Sequence, residues 1–163
     1  PFLHSITLQG PKGEQTRVRA LFDDGAMVGA MCSSIFHAVK HRLHNWNPSK
    51  QRLRMANGTV IRSEACWQGT IEIGNVRAEG TFEVFNSGGG WAFLFGKPLL
   101  TAFNAIHDYR TDQIVVSDTS NTATIRNELR SERHKQVMGT NLTLDVKQRA
   151  IAEGGENPPA RRV

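Results

Sequence analysis

The sequence predicts a mainly-β domain, closed or sandwiched, with two short helices. Three observations carry that prediction. Apolar residues recur at strand spacing through most of residues 1–118, glycine-bearing turns separate the runs, and only two stretches show helical signals.

Ile6 and Leu8 alternate within residues 5–9, and the turn Gly10-Pro11-Lys12-Gly13 joins that run to residues 16–22 as a hairpin. Ser33-Ser34 then start a helix, on which Ile35, Phe36, Val39 and Leu43 form one apolar stripe. Residues 52–56 and 59–63 flank Asn57-Gly58, the strongest short-range hairpin signal in the chain. Residues 66–73 and 78–85 surround Gly74-Asn75 as a further hairpin. A glycine run, Gly88-Gly89-Gly90, leads into the apolar residues 91–95, where Trp91 reads as core. Gly96-Lys97-Pro98 opens the second helix, through Phe103, with the proline near its first position. Residues 105–109 and 113–117 close the body as a strand pair.

The composition changes near Ser117, which predicts a body of residues 1–118 and a polar, basic, disordered tail or linker of residues 119–163, with a weak helix around 124–138. The net charge is +5, of which the body carries 12 − 10 = +2 and the tail 8 − 5 = +3. A basic tail predicts at most a weak nucleic-acid contact. No apolar run reaches the roughly 18 residues of a membrane span, so no membrane partner is expected and the location reads as cytoplasmic. The start at Pro1 suits a fragment or processed piece. Cys32 and Cys66 are too few for a disulfide framework and read as reduced, partly buried thiols.

Two constellations suggest other chemistry. His37, His41 and His44 have the spacing of one helix face, but Lys40 and Arg42 crowd the same region, and a solvated basic face is the better reading than a metal site. The run Gly88–Gly90 lacks the Lys-Ser/Thr and helix start of a phosphate loop. Neither a metal nor a cofactor is expected.

The segment Leu21-Phe22-Asp23-Asp24-Gly25-Ala26 ends a buried strand in an acidic pair. Alone, such a pair reads as a surface turn or a helix-start carboxylate. Three further segments follow it in order. They are Met55-Ala56-Asn57-Gly58, then residues 71–84, then Phe93-Leu94-Phe95-Gly96-Lys97-Pro98-Leu99-Leu100. Together, over roughly residues 3–117, they resemble the retropepsin-like aspartic proteases of retroviruses and LTR retrotransposons.

That resemblance implies a closed, barrel-like acid-protease fold with a flap hairpin. It implies Asp23 as the catalytic group, Asp24, Gly25 and Ala26 as its loop, and Met55, Ala56, Asn57 and Gly58 as the flap. Leu94, Phe95 and Gly96 would support the dyad. It also implies a homodimer, each copy giving one carboxylate, that cuts an extended peptide in a retrotransposon polyprotein. Asp24 departs from the family's Ser or Thr, whose hydroxyl helps tie the two active-site loops together. A carboxylate donates only when protonated. Asp24 therefore stays protonated, turns to solvent or a cation, or leaves a folded, inactive relative that binds peptide or dimerises. A polyprotein segment with an RNA-binding tail is the remaining alternative.

Overall fold

The structure, a computed structural model, describes residues 1–129. Strands β1 (Phe2–Gln9) and β2 (Gln15–Phe22) form the first hairpin, in register from Phe2 opposite Phe22 to Gln9 opposite Gln15. After β3 (Ala30–Cys32) comes helix α1 (Ser33–Leu43). Its stripe faces the barrel, with Phe36 and Leu43 buried and Ile35 and Val39 packed against the core. Next are β4 (Trp46–Pro48) and the short hairpin β5 (Arg52–Arg54) and β6 (Val60–Arg62). The long pair β7 (Ala65–Ile73) and β8 (Val76–Phe85) turns at Gly74-Asn75, with Ile73 opposite Val76. Strand β9 (Phe93–Phe95) leads into helix α2 (Lys97–Ala102), which has Pro98 in its first turn. The chain then makes β10 (Ile106–Asp108), β11 (Gln113–Ser117) and β12 (Thr122–Arg126).

The main sheet runs β1-β2-β9-β3-β8-β7-β4, and pairing of Thr7 and Leu8 with Glu72 and Ile71 closes its first six strands into a barrel. The β2–β9 and β3–β8 contacts are parallel and the rest antiparallel, so the barrel is mixed. Closure removes sheet edges that would otherwise have to be protected. Aromatic rings fill the interior. Trp67 stacks on Phe82 at 5.0 Å and Phe22 on Phe95 at 4.4 Å. Each such side chain contributes about 1.5–3 kcal/mol through burial. Trp91 is buried, as its neighbours predict.

Strands β3 and β4 carry no sequence signal. Both are only three residues long, and every residue of β3 is buried, which erases the alternation that marks a one-sided strand.

The flap register also differs from the two-residue turn that Asn57-Gly58 predicts. Arg54 pairs with Val60, leaving a five-residue loop. A two-residue turn would have set Leu53 opposite Arg62. The observed register sets Leu53 opposite Ile61, so both apolar side chains reach the same inner face. Its cost is that Arg52 faces Arg62.

The boundary at residue 118 requires correction. Thr122–Arg126 is a strand, not tail or helix, and it completes the sheet β10-β11-β12. Asp118 is a junction rather than an end. Its carboxylate accepts N–H bonds from Arg77, Ser120 and Asn121, which hold it below the usual carboxylate range. Ile125 and Leu129 are buried. Further on, Asn127 Oδ1 accepts from Leu3 N at 3.1 Å and Glu128 Oε1 from Ser5 N at 3.1 Å. Asn127 Nδ2 donates to Pro1 O at 2.7 Å and Asp112 Oδ2 at 2.9 Å. Side chains thus occupy the part of the β1 edge that β7 leaves open. The expected tail beyond residue 129, and the rest of the helix expected around 124–138, lie outside the described residues.

Candidate active site

Strand β2 buries Ala20, Leu21 and Phe22 and delivers Asp23 at its end. There the backbone is tied to β9, since Asp23 N donates to Phe95 O at 3.1 Å. Gly25 N donates to Asp23 Oδ1 at 2.9 Å and Ala26 N to Asp23 O at 3.3 Å, which closes a turn around the carboxylate. Asp23 is half-buried, Asp24 and Gly25 are exposed, and Ala26 is fully buried.

The segment following β9 locks this turn from outside. Lys97 N donates to Ala26 O at 2.7 Å. At Gly96 a Cβ would lie 2.1 Å from Val28 O and 2.9 Å from Ala26 O, so only glycine permits the contact. Leu94, Phe95 and Gly96 are thus brought against the Asp23 loop.

The flap sits on the same wall by a different route. Leu53 is buried, and Met55 and Ile61 pack on a second apolar cluster that includes Leu21, Ala26, Val28, Ala30 and Leu94. At the tip, Met55 N donates to Thr59 O at 2.8 Å, Gly58 N to Met55 O at 2.9 Å, and Asn57 Oδ1 accepts from Thr59 N at 2.9 Å. Ala56, Asn57 and Gly58 are exposed.

Beside Asp23, on the flank made by α2 and β10, lies a cavity of about 910 Å³. Phe22, Asp23, Asp24, Lys97, His107 and Tyr109 are among its lining residues, and the flap is not. Asp24 therefore opens into the same space as a lysine. The wall includes two groups with no sequence signal. His107 stacks on Tyr109 at 4.2 Å and its Nε2 lies 3.2 Å from Asp112 Oδ1. Asp112 also meets Asn127, so the segment that clips β1 braces this wall as well.

The three histidines near α1 do not converge. His37 Nε2 lies 3.2 Å from Glu64 Oε1, His44 Nε2 lies 2.8 Å from Glu14 Oε2, and His41 is exposed. Among the described residues no group of three or more His, Cys, Asp or Glu is arranged to hold a metal ion. The two cysteines are free, Cys32 buried and Cys66 half-buried. Among the same residues no helix is long and apolar enough to cross a membrane.

No family model and no curated protein matches the chain. Solved structures do. The retroviral protease-like domain of Ddi1 from Leishmania major matches with a TM-score of 0.53 at 13% identity, over 78% of this chain and 92% of that one. The prototype foamy virus protease-reverse transcriptase matches with a TM-score of 0.37 at 10% identity, over 92% of this chain. The match spans only 16% of that viral protein's own length. The mainly-β barrel with its two helices and its likeness to the Ddi1 domain establish that the chain has a retropepsin-like fold.

Proposed function

We propose that the chain is an aspartic endopeptidase whose catalytic dyad assembles when two copies meet, each contributing Asp23. The observation that carries this reading is the mounting of Asp23. A single Asp is fixed at a strand end, its backbone N–H donating to Phe95 O and its carboxylate accepting from Gly25 N, beside an open cavity and on a wall capped by a hairpin. One carboxylate is half of the required chemistry. Two at about 3 Å share a proton, because they cannot both ionise cheaply. The ionised member then activates a water while the protonated one donates to the peptide carbonyl. An extended peptide lies between the dyad and the flaps, which close to exclude water.

The second copy docks on the α2–β10 flank. Strand β10 is hydrogen-bonded to β11 alone, and Ile106 and Tyr109 beside it are the most exposed large apolar residues described, at 67% and 74%. An edge strand of this kind pairs antiparallel with its own copy about a two-fold axis. The substrate is a polyprotein of retrotransposon type, cut in the cytoplasm, and residues beyond 129 add at most a weak nucleic-acid contact.

Asp24 favours a second reading, an inactive relative that keeps the fold for dimerisation or peptide binding, because its exposed carboxylate would bring further negative charge to the axis. Casein or peptide cleavage decides between the two. Cleavage blocked by pepstatin-type inhibitors and abolished in Asp23→Asn, with the dimer retained on sedimentation, supports the endopeptidase. A dimer that cuts nothing at either acid or neutral pH would leave the inactive relative.

A further inference from the structure

Glu83 is a buried carboxylate that the proposed chemistry does not use, only 4% exposed on β8. Its Oε2 accepts a bond of 2.6 Å from Ser63 Oγ, and Ser63 is itself 1% exposed. That hydroxyl has one proton and three acceptors in reach. The carboxylate is nearer than Ala65 O at 2.8 Å and Val84 O at 3.3 Å. Val84 N donates back to Ser63 Oγ at 3.2 Å.

Ser63 stands at the root of the flap. Among the described residues β5 and β6 pair only with each other, so the hairpin's backbone joins the barrel at its two ends while Leu53, Met55 and Ile61 seat it on the wall. Ser63 N donates to Gln51 O at 2.8 Å and closes the root, while Glu64 N donates to Val84 O at 2.8 Å and fixes it to β8. On its other side Glu83 N donates to Gly29 O at 2.9 Å, in the stretch between the Asp23 loop and β3. One residue therefore touches the flap root with its side chain and the continuation of the active-site loop with its backbone.

Burying a carboxylate is costly, and a well-packed apolar pair in its place would hold the barrel at least as well. What an apolar pair lacks is direction. We propose that Glu83 is a positioning residue for the flap. Through Ser63 it fixes the angle at which the β5–β6 hairpin leaves the barrel, and through Gly29 it refers that angle to the Asp23 loop. This rests on reading the hairpin as the cover of the Asp23 cleft.

Hydrogen exchange on the full chain tests the latch without needing activity. In Ser63→Ala and Glu83→Leu, protection of amides in residues 52–62 falls on the order of tenfold, the loss of one buried hydrogen bond, while the β7–β8 ladder keeps its protection. Glu83→Gln, which retains an acceptor oxygen, recovers most of it. Where peptide is cut, the first two variants raise KM more than they lower kcat. Flap protection unmoved in both variants, or lost in equal measure from β7–β8, overturns the proposal. A chain that cuts no peptide leaves the exchange result to decide the latch, and a chain that cuts peptide with flap exchange unmoved keeps the endopeptidase and loses the latch.

Discussion

The Asp23 loop and the flap rest on one apolar wall, yet they are attached to the barrel in opposite ways. The loop is stitched at several points, by Asp23 N to Phe95 O, Lys97 N to Ala26 O and the close fit of Gly96 over Val28. The flap is a two-stranded sheet with no ladder to the barrel, seated by Leu53, Met55 and Ile61 and rooted at Ser63. A charge that must meet its symmetric mate within hydrogen-bond reach needs the first kind of mounting. A cover that must admit a peptide needs the second. Under the proposed function, stability is thus distributed so that the carboxylate assigned the chemistry is over-determined and the hairpin assigned the motion is held by few contacts.

The sharpest way to break this contrast is Gly96→Ala. The new methyl must displace backbone at Val28, so the barrel loses about 3 kcal/mol or more, and thermal unfolding falls accordingly. A melting point within a degree or two of the parent, roughly the reach of a neutral surface change, would show the loop to be loosely held. Next is Asp24→Ser, which alters charge and leaves the stitching in place. In the proposed dimer the two Asp24 carboxylates add like charge near the axis, and that repulsion opposes association. Removing Asp24 strengthens the proposed dimer at pH 7 by about tenfold at low salt, with less effect at high salt. Sedimentation at low and high salt reads both effects, and a weaker dimer at low salt would mean that Asp24 does not sit near the axis.

The flap responds on a smaller scale. Gly58 has φ 84°, so Gly58→Ala strains the tip by about 1 kcal/mol. It raises exchange of the flap amides and leaves the melting point nearly unchanged, because the hairpin opens apart from the barrel. Smallest is Arg62→Glu, which converts the facing Arg52–Arg62 pair into opposite charges and steadies the hairpin by about 0.2–1 kcal/mol. Slower flap exchange at low salt, fading at high salt, is the expected reading. A shift in global stability from either substitution would mean that the flap and barrel open together.

The parts of this molecule that could be read from its sequence are those whose cause is local. Alternation around Ile6 and Leu8, the helical stripe from Ile35 to Leu43 and the turn at Gly74 each rest on neighbours in the chain, and each element forms as they require. The Asp23 loop and Gly96 were legible together because the order of the motifs joins two distant segments. What escaped has its cause elsewhere in the fold. The flap register follows from which face Leu53 and Ile61 must bury, and that face exists only once the barrel is closed. Strand β12 looks polar because only Ile125 on it is buried. Asn127 and Glu128 act on Leu3 and Ser5, some 124 positions away, and Ser63 meets Glu83 across 20. No spacing rule reaches that far.

The clip at Asn127 and Glu128 has a consequence for how such a polypeptide is trimmed. Those two side chains stand in for a missing neighbour strand, so a cut anywhere between residues 118 and 127 would leave the first strand with bare amides facing water. A naked rim of that sort recruits foreign strands, and the product would clump before it could work. Any shortening of the chain on that side is therefore bounded by two side chains that lie outside the Asp23 loop.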